Sequence, residues 1–263
     1  MNLRALLISS LGIIITLFLL STKLNIETPP GTVEVALNLY FDKTEVTNMN
    51  WMEYVYWNKD KYGKDSKEYQ SVLPDTTVWI EKAKYGEPYV VHYFQHPAYR
   101  DFPVVGISHA QAVAFCEWRS DRVNEAIFLK NKSKNKSKKN TEEVLGNIPV
   151  VYNYRLPTKS EWEDVASVKC QDKVLRKIKR KNLRNNNFHR EYQEGISGVF
   201  TYYPNKYGIY NLLGNVAEMI QEKGVAKGGS YRDKEKDVSI LKNFNYRTPT
   251  NWIGFRCVCE RVD

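Results

Sequence analysis

The chain has 263 residues and a formal net charge of +9, from 39 lysines and arginines against 30 aspartates and glutamates. This length allows one large domain with a sizeable core. About fifteen of the basic residues fall in two segments, 130–139 and 169–190, and the rest of the chain is close to neutral. The first segment contains no aromatic residue that would stack on bases. We therefore predict that the chain does not bind nucleic acid.

Residues 1–25 have the pattern of a targeting element. Arg4 precedes an almost unbroken apolar run at 5–20, and polar residues follow it. A basic start and an apolar stretch direct export. The run is slightly short for a bilayer span, and no small-x-small cleavage site follows it, so a cleaved signal peptide and an uncleaved anchor both stay open. We expect an exported protein on the periplasmic side of the cell envelope, with this segment contacting the membrane and residues 26–31 as a linker.

The first part of the folded region predicts one strand and one helix. Residues 32–41 alternate between apolar and polar side chains, which indicates a strand. Residues 49–58 predict an amphipathic helix, and residues 59–100 predict irregular structure. His92 and His96 have the spacing of zinc-protease histidines, but no glutamate lies between them and their surroundings are strand-like. We predict no zinc site there.

Capping residues mark two further helices. Ser108 is a good N-cap for the apolar pattern over residues 109–122. Thr158, followed three residues later by Glu161, makes a capping box for a second, shorter helix. A strand is predicted between them at 150–154.

Two segments interrupt this pattern. Residues 129–148 are rich in lysine and asparagine and predict a disordered loop. Residues 169–195 are basic and rich in asparagine, with a helix conceivable only over 174–184. The sequence assigns no function to the basic segment 169–190.

Four cysteines occur, at 116, 170, 257 and 259. An even number in an exported protein favours disulfides. Buried free thiols that pack as small apolar groups are the alternative. Cys257 and Cys259 alternate on a predicted strand and would share one face, but no basic neighbour that would activate a thiolate is evident. The sequence leaves the roles of Cys170 and Cys259 open.

Several motifs together resemble one known family. The strongest are in the last third of the chain, namely Tyr-Gly-Ile-Tyr-Asn-Leu-Leu-Gly-Asn-Val-Ala-Glu-Met at 207–219, Lys-Gly-Gly-Ser-Tyr at 227–231 and Ile-Gly-Phe-Arg-Cys at 253–257. Asp-x-x-Glu-Val-Thr-Asn at 42–48 and Arg-Leu-Pro-Thr-x-x-Glu-Trp at 155–162 add to them. The chain resembles the sulfatase-modifying-factor, or formylglycine-generating-enzyme, domain. The resemblance covers 32–263 and implies a loop-rich α+β fold of the C-type-lectin-like superfamily, with short strands and two or three amphipathic helices.

The resemblance also implies what the chain lacks. The family's oxidases place cysteines two and seven residues after the tyrosine of Gly-Gly-Ser-Tyr, where this chain has Asp233 and Val238. A Cu(I) site needs soft thiolates, so no copper is expected and formylglycine-generating activity is not predicted. The region around His96 and the helix that follows are similar to the gliding-motility and type IX secretion lipoproteins (J and K components). We therefore expect a structural or assembly component that binds envelope proteins. An oxidase with an altered site is the alternative, and a lectin-like ligand-binding module is a third.

Two site predictions follow from the resemblance alone. Some members of the family bond cysteines that match Cys116 and Cys257. The family also binds a structural calcium through oxygen ligands that match Asn211, Gly214, Val216 and Glu218. The carboxylate and carbonyl oxygens of such a turn suit a hard cation. The alternative is that Glu218 only caps backbone N–H groups.

Overall fold

The fold combines two small sheets with helices and much irregular chain. The computed structural model describes residues 28–82, 87–134, 148–167, 195–201 and 203–262. Both sheets have four strands, and three of the described helices have nine or more residues. No helix of the described residues is long and apolar enough to cross a membrane. The predicted targeting segment, Cys170 and the basic segment lie outside the described residues.

The strands are short, with two to five residues each. They are Thr32–Ala36 (β1), Leu39–Asp42 (β2), Tyr152–Arg155 (β3), Ala217–Met219 (β4), Val225–Lys227 (β5), Phe244–Asn245 (β6), Ile253–Gly254 (β7) and Val258–Arg261 (β8). The α-helices are Asn48–Tyr62 (α1), Lys67–Ser71 (α2), Glu87–His92 (α3), His109–Lys134 (α4) and Lys159–Ser167 (α5). Short 3₁₀ helices lie at Thr76–Lys82, Pro97–Tyr99 and Glu235–Asp237.

The first sheet has the order β1-β2-β8-β3 and is antiparallel throughout. Strand β8, which comes last along the described chain, therefore lies in the interior of this sheet. Cys259 of β8 is paired with Tyr40 on one side and with Tyr154 on the other.

The second sheet has the order β6-β5-β4-β7. Strand β4 pairs antiparallel with β5 and parallel with β7. Glu218 is thereby paired with Lys227 on one side and with Gly254 on the other. This sheet holds the turn that precedes β4 in a fixed position.

The single strand predicted at 32–41 is wrong, because the chain makes a hairpin there. β1 and β2 pair antiparallel, with Ala36 opposite Leu39. Asn38, in the turn between them, has φ of 60°, a left-handed conformation that asparagine tolerates better than most residues. The alternating pattern continues on both sides of the turn, so it does not reveal the reversal.

The two long helices begin where predicted. Thr47 caps α1 through its side chain, and Ser108 and Gln111 bond each other's backbone N–H groups at the start of α4. Helix α4 continues to Lys134, so the disordered loop predicted at 129–148 is wrong over its first six residues. No glycine or proline interrupts this part of the sequence, and lysine is a good helix former. Residues 135–147 lie outside the described part.

The third predicted helix is also confirmed, whereas the strand-like conformation predicted around His92 is wrong. Thr158 N–H donates to Glu161 and Glu161 N–H donates to Thr158 Oγ1, so the capping box forms at the start of α5. His92 ends the short helix α3 instead of lying in a strand. Its ring centroid is 5.9 Å from that of His96, which follows in a turn.

An aromatic core joins α1 and α4 to the strand region. Trp51 stacks on Phe115 with ring centroids 5.3 Å apart, and Phe255 meets both edge-on. Asn124 fixes α4 to the edge strand β3, because its amide donates to the Tyr152 carbonyl and accepts from two backbone N–H groups. This packing holds the C-terminal motif residues against the centre of the domain.

Candidate functional site

The residues expected to bind calcium lie in the turn before β4 and, for Glu218, in β4 itself. Its backbone is left-handed at three positions, with φ of 57° at Asn211 and Asn215 and 93° at Gly214. Asparagine and glycine are the residues that enter this region most readily. The turn brings Asn211, Val216 and Glu218 into the interior, where all three are buried. These residues belong to one continuous buried segment, and the calcium site stays a prediction.

Glu218 forms a buried ion pair with Arg256. Arg256 Nε lies 2.7 Å from Glu218 Oε2, and Arg256 Nη2 lies 2.5 Å from Oε1, with both side chains fully buried. Trp162 Nε1 also donates to Oε2, at 2.7 Å. The remaining Arg256 donors bind the carbonyl oxygens of Asp42 and Tyr210. The partners of the Glu218 carboxylate in these bonds are side chains, which differs from the capping of backbone N–H groups expected as the alternative.

A second buried carboxyl, Glu45, lies against the same turn. Its Oε1 accepts from Asn215 Nδ2 at 2.9 Å, and its Oε2 accepts from Asn211 Nδ2 at 3.1 Å. Burial raises the pKa of Glu45 to about 7. The positive charge of Arg256 opposes this shift, whereas the negative charge of Glu218 increases it. Sequence reasoning missed this residue, although it is the glutamate of the quoted Asp-x-x-Glu-Val-Thr-Asn motif.

The turn offers one oxygen suited to a hard cation. Asn211 Oδ1 is buried and has no hydrogen-bond partner in the described part of the chain. A buried acceptor left unpaired costs about 1–3 kcal/mol, so this oxygen favours a ligand. A carboxylate has about four lone-pair sites, and the bonds from Arg256 and Trp162 use three of those on Glu218, so one remains. These oxygens are of the kind that calcium binds, but the described residues contain no group of three or more histidine, cysteine or acidic side chains that could hold a metal ion.

Two of the cysteines meet in the core. Cys116 on α4 and Cys257, immediately before β8, are buried thiols with their sulfur atoms 3.5 Å apart. Burial raises the pKa of Cys257 well above its usual range, and the hydrogen bond with Cys116 adds to this. Burial also raises the pKa of Cys259, to about 12. The disulfide between Cys116 and Cys257 stays a prediction, and the contact between their sulfur atoms favours it.

The two positions that hold cysteines in the family's oxidases have structural contacts here. Asp233 Oδ2 accepts from the backbone N–H and the hydroxyl of Ser230, both at 2.8 Å, and so closes a local turn. Val238 is 3% exposed and belongs to the main core. A Cβ added at Gly229 would lie 2.7 Å from Val238 Cγ2, so the valine packs directly on the Gly-Gly-Ser backbone.

One cavity reaches the thiol region. It measures about 240 Å³ and is lined by residues of α4, β3 and nearby loops, which include His109, Cys116, Glu117, Tyr154 and Arg155. His109 Nε2 is 2.9 Å from the Ile220 carbonyl oxygen. Neither Asp233 nor Val238 lines this cavity. The structure therefore separates the cavity from the positions that correspond to the oxidase cysteines.

Residues 16–261 match the sulfatase-modifying factor enzyme 1-like domain. The chain belongs to this family. The match spans nearly the whole sequence, so the predicted resemblance and the α+β fold class are confirmed. A comparison with curated proteins found no match.

Three solved structures are similar to this chain to different degrees. The crystal structure of CarF superposes with a TM-score of 0.51 at 17% identity, covering 86% of this chain and 87% of CarF. Variable protein 1 of Treponema denticola gives a TM-score of 0.46 at 16% identity, covering 89% and 92% of the two chains. PvdO from Pseudomonas aeruginosa gives 0.41 at 15% identity, covering 61% and 63%. At these identities the likeness to CarF concerns the fold alone.

Proposed function

We propose that this sulfatase-modifying-factor domain is a non-catalytic structural or assembly component of the cell envelope, similar to the gliding-motility and type IX secretion proteins. One observation carries the proposal. The positions of the oxidase cysteines hold Asp233, which closes a local turn, and Val238, which is buried in the core. Neither side chain supplies a thiolate, so a copper-held cysteine pair cannot form at these positions.

The alternative is an oxidase with an altered site built on Cys116 and Cys257. The 3.5 Å separation of the two sulfur atoms favours it, as does the cavity that Cys116 lines. The environment of Cys257 opposes it, because burial raises the pKa of this thiol and keeps it protonated at neutral pH. Only the thiolate is a nucleophile or a strong metal ligand.

An activity assay separates the two functions. The purified chain is loaded with copper and offered a Cys-x-Pro-x-Arg peptide under oxygen, and aldehyde formation is followed by mass spectrometry. We expect no aldehyde above a copper-only control. Turnover that disappears in both Cys116→Ser and Cys257→Ser would establish the altered oxidase. Turnover that survives both substitutions would place the chemistry elsewhere, and in either case the non-catalytic proposal fails.

The proposed envelope role is tested by identifying the proteins that co-purify with the chain. Native envelope is solubilised, the chain is captured through an affinity tag, and co-purifying proteins are identified by mass spectrometry. We expect a defined set of envelope proteins at fixed ratios. A chain recovered alone from mildly solubilised envelope would contradict an assembly role. N-terminal sequencing of the same preparation decides between a cleaved signal peptide and an anchor.

We also propose that the turn before β4 holds a structural calcium ion. Asn211, Gly214, Val216 and Glu218 are the residues that would hold it, through side-chain and backbone oxygens. The support is the buried, unpaired oxygen of Asn211 in the turn and the buried carboxylate of Glu218 in β4, which follows the turn directly. When bound, the cation would cross-link the turn to β4 and would neutralise negative charge on the Glu218 carboxylate, near Glu45. This role is structural and supplies no chemistry.

A further inference from the structure

The chain enters the folded domain at one end of the first sheet. Lys43 N–H, just after β2, donates to the Gly31 carbonyl, and Thr32 N–H donates to that of Pro29. Thr28 and Pro30 are exposed beside an open cavity of about 560 Å³. This entry point matters because the apolar run at 5–20 lies only eight residues before Thr28.

Exposed aromatic side chains lie around this entry point. Tyr210 N–H donates to the Lys43 carbonyl, and the ring of Tyr210 contacts that of Phe200 with centroids 5.3 Å apart. Phe200 is 63% exposed, and Tyr203, in the loop that follows, is 46% exposed. This loop leads to Tyr207, which lines the cavity together with Thr28. Contacts thus connect Phe200 to the start of the domain.

The same surface carries exposed lysines. Lys43 lines the cavity, and Lys206 lies in the loop between Tyr203 and Tyr207; both are exposed, as is Glu34, the one acidic residue of the described chain that lines the cavity. At a membrane–water interface tyrosine rings lie at headgroup level, phenylalanine enters the adjoining apolar boundary, and lysine amines meet lipid phosphates. We call Thr28, Lys43, Phe200, Tyr203 and Lys206 the entry face.

The length of the connecting chain limits how far this face can be from a bilayer. Eight fully extended residues span at most about 28 Å. For a membrane-anchored chain the headgroup layer, about 5–7 Å on each side of the hydrocarbon, would take up part of that length. If the run at 5–20 stays in the membrane, the domain stays within about 28 Å of it, and the surface around Thr28 is the part of the domain held nearest the lipid.

We propose that the entry face rests on the bilayer surface, with Phe200 and Tyr203 at headgroup depth and Lys43 and Lys206 against lipid phosphates. The inference goes beyond the proposed function, since it names a lipid surface as a partner of the folded domain itself. It also fixes the orientation of the domain. With Thr32 at the membrane end of β1, the hairpin turn at Leu37 would lie up to about 17 Å farther from the bilayer, the length of that strand.

Quenching by brominated lipid tests this orientation in the full chain. Phe200→Trp is compared with Leu37→Trp, a matched control because Leu37 is 88% exposed at the far end of β1. Each variant is reconstituted in vesicles of phosphatidylethanolamine and phosphatidylglycerol, with and without brominated acyl chains. The signal of the unsubstituted chain, with its six native tryptophans, is subtracted. We expect the tryptophan at 200 to be quenched at least threefold more than the one at 37.

Each outcome decides the proposal. Stronger quenching at position 200, reduced when Lys43 and Lys206 are both changed to glutamate, supports it. Equal quenching at the two positions, or stronger quenching at 37, overturns it. Tyr203→Trp repeats the test should Phe200→Trp lower the melting temperature. Cleavage of the segment before Thr28 in native envelope would also overturn it, while leaving the non-catalytic function untouched.

Discussion

The buried carboxyl of Glu45 predicts a specific dependence of stability on pH. Its pKa rises from an ordinary 4.5 to about 7 in the folded protein, mainly because of burial. A pKa that is raised on folding means that the folded state holds the proton more tightly. The contribution to stability is therefore fully present below pH 4.5 and is lost as the pH rises through 7. Each pKa unit corresponds to about 1.4 kcal/mol, so the loss amounts to about 3 kcal/mol.

Glu45→Gln removes this titration while keeping the shape of the side chain. The glutamine places an amide donor where Asn211 and Asn215 already donate, which lowers the free energy of unfolding by a fixed amount at every pH. The informative quantity is therefore the difference in unfolding free energy, wild type minus variant, followed from pH 4 to pH 8. We expect this difference to fall by about 3 kcal/mol over that interval.

The assay is urea unfolding followed by tryptophan fluorescence at each pH. Glu161→Gln is the control with the opposite sign. Burial alone would raise the pKa of Glu161. The hydrogen bonds from Arg155 and Thr158 outweigh burial, and the pKa is lowered. Its contribution is therefore present above its unfolded pKa and is lost on acidification. A wild-type minus Glu45→Gln difference that stays flat or rises with pH would refute the reasoning about Glu45.

Three further predictions concern the turn, the thiols and the glycine pair. Calcium should raise the melting temperature of wild type and of Asn215→Gly but not of Asn211→Gly, because only the last loses the unpaired oxygen; an undiminished calcium response in Asn211→Gly would contradict the site. Reductant should lower the unfolding free energy of the oxidised protein by up to about 4–5 kcal/mol and leave Cys116→Ser unchanged; equal sensitivity of both would exclude the bridge. Gly229→Ala should destabilise by about 1–3 kcal/mol, because its Cβ meets Val238 and φ is 69°; adding Val238→Ala should restore part of the loss, and no recovery would show that backbone strain dominates.

The sequence predicted those elements whose signals are local. Caps at Ser108 and at Thr158 lie next to the helices that they start, so one-dimensional patterns suffice to place them. The turn at Asn38 was missed because the alternating pattern on either side of it is that of one strand. The extension of α4 was missed because lysine-rich composition suits a solvated helix as well as a loop.

The candidate site was predicted only in part, for a different reason. Motif spacing placed Asn211 and Glu218 in one turn, but it did not reveal that Arg256 binds Glu218 or that Glu45 lies against Asn215. These partners are separated by 38 and 170 residues. Ion pairs and hydrogen bonds between residues so far apart depend on the tertiary structure. No local pattern in a single sequence reveals them.

The interior position of β8 determines when the domain can fold. Val258–Arg261 lies between β2 and β3, and neither of those strands pairs with the other. The first sheet therefore cannot close until almost the whole chain is available. Closing contacts across more than two hundred residues is slow, since the entropy of a very long loop is lost before any pairing forms. In a chain that crosses a membrane unfolded, this sheet could not form before residues 258–261 had crossed.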